Sequence, residues 1–361
     1  MVRRRAAAVV AVLLVAGCGG LASEPSPDTE TARPSGPPSP GPATAGELRV
    51  TELLTGLTSP WGLETLRDGR LLISERDTGR IVIVDDGRAA PLRTIDDARP
   101  AGEGGLLGLA VASDEKTVFA YYTSAEDNRI VSMSWDGATL GEPKAILTAI
   151  PKGGRHNGGR MVVGPDENLY VGTGETGDSE LAQDTTSLGG KILRITTDGQ
   201  PVAGNPFSNE IYSYGHRNVE GLAFDEQGRL WASEFGEQTW DELNLITERG
   251  NYGWPEVEGS GRAPGMINPK VVWSTAEASP AGLAFWEGSL WMAALRGTRL
   301  WQIPLDGEDT GTPVAHFTEL YGRIRSVIVS ADGDALLVTN SNTDGRGDPT
   351  AGDDRLLELT R

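Results

Sequence analysis

One phrase, repeated six times, restricts this chain more than anything else in it. Apolar residues, usually with glycine, come first, then a tight turn, then an alternating strand. Gly62-Leu63 leads through Asp68-Gly69 to Arg70–Glu75, and Gly108-Leu109-Ala110 leads to Thr117–Tyr121. Met161–Val163 leads to Asn168–Thr173, Gly221–Phe224 to Gly228–Glu234, and Gly282–Phe285 to Gly288–Met292. Val327–Val329 leads through Asp332-Gly333 to Asp334–Val338. Each copy is a hairpin signal with the two-residue period of a strand. A third strand often follows, as in Arg80–Val84 and Arg299–Ile303. Copies recur about every 45 to 60 residues, the length of one four-stranded blade. No long stretch shows helical periodicity. The expected fold is all-β, a six-bladed β-propeller, in which radial repetition protects the sheet edges. A β-sandwich with irregular strands is the competing architecture, but sandwiches do not repeat at this length. Leu48–Leu54 precedes the first copy and is placed to close the ring against the last blade.

The N-terminal region reads differently. Arg3-Arg4-Arg5 precedes an apolar run from Ala6 to Ala16, then Gly17-Cys18. The run is shorter than the roughly 20 residues a bilayer span requires, and its layout is that of a signal peptide. Val15-Ala16-Gly17-Cys18 resembles the lipobox of bacterial lipoproteins, with Cys18 as the lipidated residue. Cys18 is the sole cysteine, so no intramolecular disulfide is expected. Residues 1–18 are therefore read as a lipoprotein signal, residues 19–46 as a Pro/Ser/Gly-rich tether, and 47–361 as the propeller. The tether has almost nothing apolar to bury. These features place the folded part on the extracytoplasmic face of a bacterial membrane, held by a lipid anchor only. The net charge of −19 opposes nucleic-acid binding. An anionic ligand would need a local cluster of arginines.

Two of the three histidines lie in glycine-flanked runs, Arg155-His156-Asn157-Gly158-Gly159-Arg160 and Tyr214-Gly215-His216-Arg217-Asn218. Turn formers put such side chains on loops, where they reach ligands. A neutral imidazole takes a proton near neutral pH. A propeller gathers its blade-connecting loops around the axis, so these distant runs can meet in one site.

The order of these strings resembles the glucose/sorbosone dehydrogenase family, soluble quinoproteins that use pyrroloquinoline quinone (PQQ) and calcium. The resemblance covers nearly all of residues 59 to 359. It rests on Ser59-Pro60-Trp61-Gly62-Leu63, Gly102–Gly108, Arg155–Arg160, Gly189–Arg194, Tyr214–Asn218, Asp241–Asn244, Gly250–Pro255 and Arg323-Ile324-Arg325. It implies that His156 is the general base acting on the C1 hydroxyl of an aldose, and that Glu175 orients it. Glu103 stands where many members have Gln near substrate and cofactor. Arg217, Asn218, Arg296, Arg323 and Arg325 match the ligands of the PQQ carboxylates, with Ser279 nearby. Arg296 replaces a Lys found elsewhere in the family. Calcium would use Gly236 and Glu237, where the family has Gly-Pro, and a second ion Glu242 and Tyr252. The implied function is oxidation of aldoses to lactones, with electrons passed to an unidentified acceptor. Two other functions remain open at this point. One is a non-catalytic binding module on the same fold. The other is a calcium-dependent propeller lactonase.

Overall fold

The structure, a computed structural model, describes residues 48–361 apart from Arg262. The leader, the lipobox Cys18 and the tether lie outside the described residues. Among the described residues, six antiparallel sheets account for almost all regular structure, and the one helical element is a single 3-10 turn, Ser179–Ala182. Blade 1 runs from Pro60 to Thr94, blade 2 from Leu106 to Ile150 and blade 3 from Met161 to Tyr214. Blade 4 runs from Val219 to Ser274 and blade 5 from Pro280 to His316. Blade 6 takes Ile324–Val329, Leu336–Asn340 and Leu356–Thr360 from the C-terminus, and its outer strand, Arg49–Leu54, from the N-terminal side. Arg49 pairs with Thr360 and Glu52 with Leu357, so the ring is closed as the sequence suggested.

The first strand of each blade is the innermost. These six inner strands neighbour one another in cyclic order, and the strand at Pro60–Thr65 touches that at Ile324–Val329. Crowding at the axis explains the recurrent glycine. A Cβ on Gly108 would lie 2.0 Å from the Gly159 carbonyl oxygen, and one on Gly221 would lie 2.3 Å from that of Ala281. Five of the inner strands also shift register near their start, for example between Leu106 and Leu109 and between Pro280 and Leu283. Bulges there re-aim side chains, which matters below.

Between each pair of adjacent blades lies one apolar cluster, six in all. Successive residues of one strand feed opposite clusters. Phe119 and Tyr121 pack toward blade 3 while Ala120 and Tyr122 pack toward blade 1. Trp291 and Met292 divide in the same way between blades 6 and 4. Both faces are buried, so the middle strands read as continuous apolar runs. Each large side chain so buried contributes about 1.5–3 kcal/mol.

Candidate functional site

A cavity of about 350 Å³ opens where the inner strands begin. The segment leading into each strand supplies part of its wall: Glu103 into blade 2, His156 into blade 3, Asn218 into blade 4, Ser279 into blade 5, and Arg323 and Arg325 into blade 6. Arg296 joins them from the turn after Ser289–Ala294. Seven residues singled out from the sequence thus share one wall. Glu175 stands behind His156, and Arg217 lies off the wall.

His156 sits on a backbone of φ +53°, flanked by Gly158 at +61°. Its Nδ1 lies 2.5 Å from Glu175 Oε1, and both side chains are buried. A carboxylate only accepts, so Nδ1 carries the hydrogen and Nε2 keeps its lone pair. Nε2 has no protein partner among the described residues. The second oxygen of Glu175 accepts the Gly177 N–H. The main chains are laced as well: Glu175 donates its N–H to the Arg217 carbonyl at 2.9 Å, and Gly158 donates to Asn218 Oδ1 at 3.0 Å. The loops before blades 3 and 4 therefore place the imidazole as one unit.

The rest of the wall is cationic. Arg76, Arg296, Arg323, Arg325 and Arg346 face it, against Glu103 and Glu220. Arg325 pairs with Glu220, and Arg323 lies 2.9 Å from Asp344. Asn218 Nδ2 donates to Glu220 Oε1 at 3.1 Å, and Arg76 donates to the Asp344 carbonyl at 3.1 Å. Burial pushes the Arg325 pKa down, opposed by the charges of Glu220 and Asp344. Its Nε is buried without a partner among the described residues. Beneath, Arg160 stacks 4.4 Å over Trp61 and donates to the Glu220 carbonyl at 2.8 Å. In a chain of net charge −19, this is the local cation cluster an anionic ligand requires.

Arg217 is buried, stacked 5.3 Å from the Trp254 ring, and its Nε has no partner among the described residues. Burial pushes its pKa down, against the opposing charges of Glu175 and Glu237.

The residues proposed for metal are less gathered. Glu237 is exposed. The N–H groups of residues 237 to 240 all donate to Glu258 Oε1, at 2.7 to 3.1 Å. Gly236 N–H donates to Asp241 at 2.9 Å. Glu242 is buried and accepts from Gly259 N–H at 2.7 Å and Asn244 Nδ2 at 3.0 Å. Burial and its cross-strand neighbour Glu234 push its pKa up to about 8. The Tyr252 hydroxyl donates to the Leu245 carbonyl at 2.7 Å. Among the described residues, no three His, Cys, Asp or Glu side chains cluster as a metal site. A cation here would rely on main-chain carbonyls and on the buried Glu242 carboxylate, because Glu234 already accepts from His216 Nδ1 at 2.7 Å and from the Arg217 N–H.

Sequence reasoning missed Trp61, Arg76, Glu220 and Arg346 on the wall, and Asp344 behind it. Arg346 carried a usable signal: Asp344-Gly345-Arg346-Gly347 flanks a charged side chain with glycine, as the His156 run does. Arg76 and Glu220 carried none, because Arg76 follows, and Glu220 lies within, a strand that reads as structural.

Residues 57–348 match the family model described as glucose/sorbosone dehydrogenase. An aldose sugar dehydrogenase from Streptomyces coelicolor, solved in its PQQ-bound form, is 53% identical, with a TM-score of 0.85 over 88% of this chain and 99% of that one. An aldose sugar dehydrogenase of Escherichia coli is 28% identical over 83% of this chain and 92% of its own length. The quinoprotein glucose dehydrogenase B of Acinetobacter calcoaceticus is 32% identical over 57% of this chain and 52% of its own.

Proposed function

The chain belongs to the glucose/sorbosone dehydrogenase family, and from that premise we propose that it oxidises aldoses at C1 to lactones, with PQQ as hydride acceptor. It is an oxidoreductase of the aldose sugar dehydrogenase kind. One observation carries the finer reading: a histidine backed by a buried carboxylate shares a cavity wall with Arg296, Arg323 and Arg325.

The donors fit PQQ, which bears three carboxylates. Arg296, Arg323 and Arg325, with Asn218, would hold them, because a guanidinium fork matches a carboxylate. Arg325 Nε is a buried donor still lacking an acceptor. PQQ, when bound, supplies a two-electron hydride acceptor that no side chain offers. The protein's task is proton transfer and orientation. Nε2 of His156 takes the proton of the C1 hydroxyl as hydride leaves the same carbon, and Glu175 stabilises the imidazolium so formed. A positioned base of this kind contributes about 10²–10⁴ in rate. Glu103 accepts the His156 N–H at 2.7 Å and holds the loop from the substrate side. Calcium is part of the proposal through the Gly236, Glu237 and Tyr252 carbonyls and the Glu242 carboxylate. Its support is the buried Glu242 carboxylate, and no step depends on it.

Purified protein titrated with PQQ and calcium and assayed by dye reduction with several aldoses tests the reading. Binding with aldose-dependent turnover is expected. His156→Ala should keep PQQ and lose turnover. Failure to bind micromolar PQQ rejects the proposal. Export and lipidation at Cys18 are a separate proposal supported by the lipobox string, and Cys18→Ser should then release the protein from the membrane fraction.

A further inference from the structure

Glu103 and Arg346 form an ion pair at the edge of the site cavity. Glu103 Oε1 lies 2.9 Å from Arg346 Nη1, and the arginine side chain is 52% exposed. Exposed pairs of this kind contribute about 0–1 kcal/mol to stability. Its position is more informative than its strength. Arg346 lines the site cavity and also a second recess of about 540 Å³, which shares Leu295, Arg296 and Arg323 with the first. The pair therefore stands at the threshold between the two spaces. It joins the segment before blade 2 to the loop between the inner and outer parts of blade 6.

The hydrogen-bonding capacity of the pair is mostly unspent. Glu103 Oε2 accepts the His156 N–H, and Oε1 is ion-paired with Arg346. A carboxylate offers about four lone-pair directions, so one on each oxygen remains. Arg346 makes no other side-chain bond among the described residues, leaving most of its five N–H donors free. An acceptor and a fan of donors, fixed side by side at the cavity edge, suit a neutral polyol, whose adjacent hydroxyls both donate and accept. The anchor at the His156 main chain ties this recognition pair to the base itself.

We propose that Arg346, positioned by Glu103, is a specificity-determining residue that reads a ring hydroxyl of the sugar other than the reacting one. This rests on the aldose dehydrogenase reading. The test uses Arg346→Gln in the full chain loaded with PQQ and calcium. PQQ affinity is measured by quenching of tryptophan fluorescence, and kcat and KM are measured for an aldose and its series of deoxy analogues. PQQ affinity should stay within twofold of the parent. The parent aldose should lose about tenfold in kcat/KM, chiefly through KM, the size of one hydrogen bond to a charged group. At least one deoxy analogue should lose nothing further, because the hydroxyl that Arg346 engages is already missing. Arg346→Lys should recover part of the loss. An equal loss across the whole series would show a merely structural role and overturn the proposal. So would an unchanged KM, or loss of PQQ binding, which would make Arg346 a cofactor ligand. If the parent protein binds PQQ but oxidises no aldose, the functional reading fails first, and that result is distinct from each of these.

Discussion

Replacing Glu175 with Gln probes the base assignment most directly. The carboxylate lies 2.5 Å from His156 Nδ1, and its side chain is 2% exposed, so water cannot take its place. Bonds to an ionised partner contribute about 1.5–3 kcal/mol, roughly twice those between neutral groups. A neutral amide therefore withdraws at least about 1 kcal/mol of support from the imidazolium formed in the transition state. That is about a fivefold loss in kcat at 1.36 kcal/mol per decade, and it is a floor. Glu175 also accepts the Gly177 N–H, and an amide has only one oxygen for two donors. If the amide turns its NH₂ toward Nδ1, the histidine is held in the wrong tautomer, a change that costs up to about 10⁴ in a serine protease triad. Because Glu175 is off the cavity wall, PQQ affinity should be unaffected. The assay is dye reduction by PQQ-saturated enzyme, with the His156→Ala single and the double variant alongside. Residues acting as a unit are non-additive, so the double variant should be no slower than His156→Ala. Less than a twofold loss in Glu175→Gln, or additive losses in the double variant, would refute the dyad.

Two further outcomes follow from the geometry. Gly174→Ala places a Cβ 1.9 Å from the His156 carbonyl oxygen and 2.7 Å from Asn218 Oδ1, so main chain must move. Overpacking of this kind costs about 1–3 kcal/mol, and a shift near 1 Å at the base costs about 10²-fold in kcat. Thermal denaturation and turnover should both register it, and a variant matching the parent in both would contradict the packing described. Glu64, half-buried in the apolar recess at the far end of the axis, has its carboxyl pushed up from 4.5 to about 8 by burial, against the pull of Arg160. The folded state then keeps a proton that the unfolded chain releases above about 4.5, so this group's contribution to stability falls as pH rises from about 4.5 to 8. Glu64→Gln has no proton to lose. Urea midpoints should show the variant gaining on the parent across that window, by at least about 1 kcal/mol at pH 8, and parallel pH profiles would refute it.

The six blades were legible in the chain because their causes are local. Period-two alternation, Asp-Gly turns and a glycine where inner strands crowd all act over a few residues. Phe119–Tyr122 reads as an apolar run because each face has its own cluster, and that reading needed no knowledge of the partner blades. Glycine-flanked loops marked the His156 and Asn218 runs as candidates for the same reason, whereas Glu103 was singled out only by the resemblance. Resemblance supplied the roles that residue patterns alone left open.

What the sequence by itself determined was the repeat, the turns between strands and which segments lead into the axis. Only the tertiary structure decided which charges meet there. Arg76 and Arg346 are 270 residues apart by number yet share a wall, and Glu220 faces Arg325 across the ring. Arg217, adjacent in sequence to a wall residue, turns instead onto Trp254. Such encounters depend on the summed rotation of six blades and on bulges that re-aim five of the inner strands at their start. Neither is encoded within any one repeat, because the geometry exists only once the ring has closed.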